Sequence, residues 1–228
     1  MMHAQAAMEN RLGRPMAGLS PGRYPGALLS SGCEAVHIGS MAIAGMRENG
    51  AMADGEAWRA LADRMAISDC LARLARGEDR RDAALIRSSF WPDATVDYGI
   101  FAGDFDAYLA WVVPGSDAIA ATQHMLGQSL MQIDGDLAKV ETHVSAYHRI
   151  DAGEGARDMW LGGRYLDAMA RRTGVWRIAK RTMVYDWFQD AGAAADWSQG
   201  LMGMPFSAPH FTGRAVGDFS AIFFAQAD

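Results

Sequence analysis

The fold class predicted by this chain is α+β, and two observations carry it. Three stretches with helical character come first, and four strand-like segments follow, each separated by a turn that holds Gly with Asp or Thr. Helices laid on one face of a strongly curved sheet enclose a cavity. The expected architecture is therefore a cone-like curved mixed β-sheet wrapped by three N-terminal helices around a deep apolar pocket. With 228 residues, half of them hydrophobic, the chain can build such a core without covalent staples.

The first 51 residues are rich in Gly, Ala, Ser, Pro and Met and show no period of 2 or 3.6. They are expected to form a disordered N-terminal extension (1–51) ahead of a single domain spanning 52–190. From Asp54, Trp58, Leu61, Met65, Ile67, Leu71 and Leu74 recur at spacings near three and four, the pattern of an amphipathic helix, with Gly77 as its expected breaker. A second, shorter helix is expected from about Arg81 to Phe90, halted before Pro92. "ATVDYGIF" reads as a strand with Val96 and Tyr98 on one face, and "DFDAYLAWVV" as a third helix. The four strands are expected in "TQHMLGQSLMQI", "LAKVETHVSAYHRI", "DMWLGGRYLDAMAR" and "VWRIAKRTMVYDWF". The aperiodic tail, 191–228, is expected to pack over the domain or the pocket mouth.

Composition narrows the function classes. The net charge is −6 and the basic residues are scattered, which argues against nucleic acid or an anionic membrane as partner. No apolar run approaches the roughly 20 residues of a membrane span, and the start lacks the pattern of a secretory signal. Two cysteines, Cys33 and Cys70, suggest neither a disulfide framework nor a zinc site, so a cytoplasmic location is expected. The sequence has no serine in the strand–turn–helix context of a nucleophile elbow, no GxGxxG, no phosphate loop and no metal-binding histidine spacing. Neither cofactor nor metal is expected.

Two readings of the candidate site residues stand side by side. Asp79, among Glu78, Arg80, Arg81 and Asp82, reads on composition as part of a solvated charge cluster; turned inward, it would orient a base. His124 opens a strand whose alternation places it with Leu126, Gln128 and Leu130, a mostly apolar wall suited to a small-molecule pocket. A neutral imidazole there can take a proton if a carboxylate fixes its other nitrogen. Tyr98 is either a half-buried strand former or a phenol that donates to a substrate oxygen. Val96 accompanies Tyr98; Trp160, Tyr185 and Trp187 are candidates for the pocket lining, where an apolar, aromatic ligand would suit them. His143 and His148 lie on opposite faces of one strand, so at most one of them faces the pocket.

The ordered set "GEDRRD", "FWPDATVDYGIF", "TQHMLGQ", "AYHRI" and "RRTGVWRIAKRTMVYDWF" resembles the SnoaL-like branch of the nuclear transport factor 2-like superfamily. The likeness to scytalone dehydratase and hexachlorocyclohexane dehydrochlorinase is greatest at "VDYG", "TQH" and "GVW". It implies the cone fold and, by analogy with the lyase members, an Asp79–His124 catalytic dyad with Tyr98 as a pocket tyrosine. It also implies a homo-oligomer, dimer or trimer, and a small apolar or aromatic substrate. Two departures stand out. Scytalone dehydratase has a catalytic tyrosine where this chain has Glu78, and a second histidine beyond the segment matching "YH" that has no evident counterpart here. A cofactor-independent lyase, of dehydratase or formaldehyde-releasing retro-aldol type, is the leading expectation. A hydrophobic-ligand carrier, or an isomerase or cyclase using the same pocket, is the alternative.

Overall fold

The computed structural model describes residues 54–151, 153–196, 200–206 and 217–225. The expected extension at 1–51 lies outside them. Helix α1 runs Asp54–Arg80, α2 Ala83–Ser89 and α3 Phe105–Val112; strands are β1 Phe90–Asp97, β2 Ala102–Asp104, β3 Ile119–Asp134, β4 Leu137–Asp151, β5 Ala156–Arg172 and β6 Val175–Ala193, and α4 is Phe219–Ala225. The described strands form one six-stranded sheet in the order β2-β1-β6-β5-β4-β3. The β3–β6 meander is antiparallel, while β1 joins β6 in parallel, so the sheet is mixed.

Helix α1 corrects one expectation. Its buried stripe is Asp63, Ile67, Cys70, Leu71, Leu74, Glu78 and Asp79, whereas Trp58, Leu61 and Met65 are exposed. The large apolar residues ahead of Ile67 therefore sit on a face offset from the one that packs. Asp63 earns its place on that stripe by accepting from Trp176 Nε1 at 2.8 Å and pairing with Arg171 at 2.7 Å. Gly77 does not end the helix. It lies inside it, where a β-carbon would come within 3.0 Å of Ile86 Cγ1, so its role is close packing against α2.

The helix stops at Arg81, which takes the left-handed conformation (φ 52°), a costly region for a residue with a β-carbon. The Arg81 guanidinium offsets that cost by donating to Pro114 O at 2.6 Å, Ser116 O at 2.8 Å and Ile119 O at 2.7 Å. These bonds pin the end of α1 to the start of β3. Asp82 then caps α2, accepting from Ala84 N at 2.9 Å and Leu85 N at 3.1 Å. The second helix is shorter than expected because Phe90 and Trp91 are already extended.

The inner face of the sheet is the core face. Along β4 the buried positions are Ala138, Val140, Thr142, Val144, Ala146 and Ile150; Tyr165, Met169, Trp176, Ile178 and Met183 continue it on β5 and β6. One ion pair is fully inside: Arg181 meets Asp167 through two bonds of 2.8 Å and lies with its guanidinium carbon 3.8 Å from the centre of the Tyr165 ring. At the other end of the chain, α4 is tied to α1 by Arg80–Asp218 at 2.7 Å and Arg76–Ser220 at 2.9 Å.

Candidate active site

Asp79 and His124 meet. The end of α1 delivers the carboxylate and the start of β3 the imidazole, and the Arg81 bridge fixes the two elements against each other. Asp79 Oδ1 lies 2.7 Å from His124 Nδ1, and both carboxylate oxygens accept from the His124 backbone N–H at 3.1 Å. Both side chains are largely buried, 11% and 13% exposed. An Nδ1–H held by Asp79 leaves Nε2 with the lone pair, which is the form a general base requires. Burial pulls the His124 ring down, but the Asp79 hydrogen bond and the charges of Glu78 and Asp79 outweigh it, so its pKa is raised above 6.5.

A second polar group adjoins the dyad. Glu78 is buried, and its Oε1 accepts from the Tyr98 hydroxyl at 3.2 Å and, more closely, from the Tyr108 hydroxyl. The two phenol rings stack at 5.6 Å, with their oxygens 3.3 Å apart. Burial, then the Glu78 charge, pushes both phenols far above their ordinary acidity range, so both are neutral donors. Tyr98 has one hydroxyl proton, and it is engaged by Glu78 or by the Tyr108 oxygen.

His148 completes the cluster. Its ring centre lies 5.9 Å from that of His124, edge to face. On β4 it continues the parity of Val144 and Ala146, and His143 takes the exposed face. Burial, then the neighbouring His124 charge, lowers the His148 pKa to about 4. Two imidazoles side by side thus differ in kind: one is drawn toward protonation by carboxylates, and the other is kept neutral.

The remaining sequence-selected residues divide. Val96 is in the core beside Tyr98, and Leu126 packs against it on the His124 face. Tyr185, half exposed, donates to the Tyr98 carbonyl at 3.0 Å and so closes the end of β1. Gln128 does not share the His124 face. The β3–β4 register shifts between Leu126 and Ser129, which reverses the alternation: Ser129, not Gln128, takes the position facing Thr142 and bonds to it at 2.8 Å, and Gln128 and Leu130 are exposed, as Ser129 is. Trp160 lies on the outer face, edge-on to its cross-strand partner Tyr147 at 5.9 Å. Trp187 stands over Gly162 on that outer face, where a β-carbon would come within 2.2 Å of the indole. With His143 and Asp186 it lines an open groove of about 320 Å³ on the far side of the sheet from the dyad.

Three participants escaped the sequence reading. Glu78 was hidden in a run of charges, Tyr108 in an ordinary helix, and His148 behind an unresolved choice of face. The alternation of small and apolar residues along β4 was the signal for His148. Nothing local marks Glu78 or Tyr108.

The SnoaL-like domain profile matches residues 59–182, more than half of the chain. The chain belongs to the SnoaL-like family. Its structure is similar to the Kfla4162 protein of Kribbella flavida (24% identity, TM-score 0.53, covering 57% of this chain and 95% of that one). It is also similar to a type 3 hexachlorocyclohexane dehydrochlorinase from Novosphingobium barchaimii (22%, 0.52, 65% and 97%). A third neighbour is a candidate scytalone dehydratase from Novosphingobium aromaticivorans (20%, 0.51, 59% and 91%). At these identities the likeness establishes the fold. Among curated proteins none matches significantly. Among the described residues, no helix is long and apolar enough to cross a membrane, and no group of three or more His, Cys, Asp or Glu is arranged to hold a metal.

Proposed function

We propose that this SnoaL-like protein is a cofactor-independent lyase acting on a small, largely apolar, aromatic molecule, with His124 as general base and Asp79 as its orienting carboxylate. The observation that carries the reading is the 2.7 Å contact between Asp79 Oδ1 and His124 Nδ1, reinforced by the grip of the same carboxylate on the His124 backbone. In an elimination, Nε2 takes a proton from carbon, the C–H pair becomes the new double bond, and the leaving group departs with its bonding electrons. In the retro-aldol variant, His124 takes a hydroxyl proton, the O–H pair becomes the C=O of formaldehyde, the C–C pair becomes the new double bond, and the hydroxyl on the next carbon leaves as water with the proton from His124. The structural neighbours that bear dehydratase and dehydrochlorinase names support the first form.

His148, neutral near pH 7, can offer the leaving group a hydrogen bond but no acidic proton, so a departing hydroxyl takes back the proton held by His124. Tyr98, its own proton engaged by Glu78 or Tyr108, holds Glu78 in place. Self-association as dimer or trimer through the open sheet face is part of the reading; Leu130, Leu166, Trp160 and Trp187 are exposed there.

The test is a panel of aryl carbinols, aryl diols and chlorinated cyclohexanes, followed by alkene absorbance, formaldehyde and chloride. A positioned general base contributes about 10²–10⁴ in rate, so His124→Ala should lower the turnover found by that factor. Tight binding with no product from any class, or full turnover in His124→Ala, would replace the lyase with a carrier or a different base.

A further inference from the structure

Beside the dyad, one buried oxygen has no partner. Glu78 Oε1 is committed to Tyr98 and Tyr108, but Oε2 is buried and accepts no hydrogen bond. Leaving a buried carboxylate oxygen without a protein partner is costly, and such groups are rare enough that each calls for a cause. Packing does not supply one, because α1 could carry an apolar residue at that point of its buried stripe.

We propose that Glu78 Oε2 is the substrate-recognition atom of the site, accepting a hydrogen bond from a hydroxyl of the substrate. The proposal rests on the lyase reading above and narrows it: the substrate carries an O–H donor, and a purely halogenated or hydrocarbon substrate is selected against. Three observations converge. Glu78 directly precedes Asp79 on α1, so its carboxylate is delivered by the same turn of helix as the dyad carboxylate. The two phenols hold the side chain by one oxygen and leave the other uncommitted. The Glu78 charge also helps to raise the pKa of the His124 ring, so the two groups are electrostatically coupled. A molecule whose hydroxyl reaches Oε2 brings an adjoining carbon or second hydroxyl toward His124.

A hydroxyl donating to a buried carboxylate forms a charge-assisted bond, worth more than a neutral one. A molecule without a donor leaves Oε2 as unpaired as it is now, which makes the discrimination strong in one direction. A methyl ether separates donor from acceptor, since it keeps the oxygen and loses the proton.

The experiment measures binding of two probe sets by titration calorimetry: 1-phenylethanol, its methyl ether and ethylbenzene; and 2-phenylpropane-1,3-diol, its dimethyl ether and cumene. The wild-type protein should bind each alcohol at least about tenfold tighter than its ether and its hydrocarbon. In Glu78→Gln the alcohol should lose about tenfold while the ether holds or gains, because an amide N–H can donate to the ether oxygen. Glu78→Met should remove the discrimination altogether. Glu78→Gln keeps an acceptor for the two phenols, and its thermal melt checks that the fold is intact. His124→Gln should leave the alcohol preference in place, so failure of the base assignment and failure of this proposal give different results. An unchanged preference in Glu78→Gln overturns the proposal. So does a wild-type protein that binds alcohol and ether alike, or that binds no member of either set.

Discussion

Acidifying the protein should cost stability through His148, and replacing that residue should abolish the cost. Folded His148 resists protonation until the pH falls to about 4, whereas the unfolded chain takes the same proton near 6.5. Between those values the unfolded state binds more protons, so stability falls as pH falls. The full effect, reached below pH 4, is about 3 kcal/mol, of which about 2 kcal/mol is lost between pH 7 and pH 5. His124 works in the opposite sense. Its folded pKa is raised, so its contribution is complete below pH 6.5 and is lost as pH rises through the folded value. That contribution is common, to first order, to the wild-type protein and His148→Asn, and cancels when the two are compared. Urea unfolding at pH 5 and pH 7, with the slope of the transition checked for constancy, gives the measurement. His148→Asn should lose about 2 kcal/mol less than the wild type between the two pH values. Parallel losses in the two proteins would show that His148 is not held neutral by burial beside a second imidazole, and the division of roles between the two rings would fall with it.

Other outcomes follow from the same geometry. Asp79→Asn should lower turnover by about 10² or more, because the amide no longer enforces the tautomer with a free Nε2; steady-state kinetics on the substrate found by the panel would decide it. For the wild type, kcat/KM should rise with pH through a midpoint above 6.5, since the base must be neutral and its carboxylate partner raises its pKa. In Asp79→Asn that midpoint should move down, and an unmoved midpoint in a pH–rate series would detach the two residues. Arg181→Met should destabilise by about 3–5 kcal/mol, since it leaves Asp167 as an uncompensated buried charge; calorimetric melting reports it. Gly163→Ala should cost about 1–3 kcal/mol, because its β-carbon would sit 2.2 Å from the Val184 carbonyl oxygen, a backbone atom that cannot step aside. Gly162→Ala, which meets only the exposed Trp187 side chain, should cost less in the same denaturant titration.

The fold was legible in the chain because periodicity carries it. Alternation marks the meander from Ile119 to Ala193, and the spacing of Ile67, Leu71 and Leu74 marks the helix that packs on it. What failed were the points where tertiary contact overrides local grammar. Gly77 looks like a stop but sits inside a helix, where the missing β-carbon lets α2 approach. Trp58, Leu61 and Met65 have the right spacing on a face that does not pack. In the site, Asp79 and His124 could be paired only through a resemblance, since what joins them is the Arg81 bridge to three carbonyls. Glu78 was out of reach for a plainer reason. A carboxylate next to Arg80, Arg81 and Asp82 carries no local sign that it is buried under two phenols. Gln128 failed because a shift of register is invisible to a count by twos.

That shift between Leu126 and Ser129 has a mechanical meaning. It divides one long ribbon into a proximal part that aims the imidazole and a distal part that turns Met131 and Ile133 to the core. The extra residue lets the inward set pass from even positions, His124 and Leu126, to odd ones, Met131 and Ile133, so that both parts face the core.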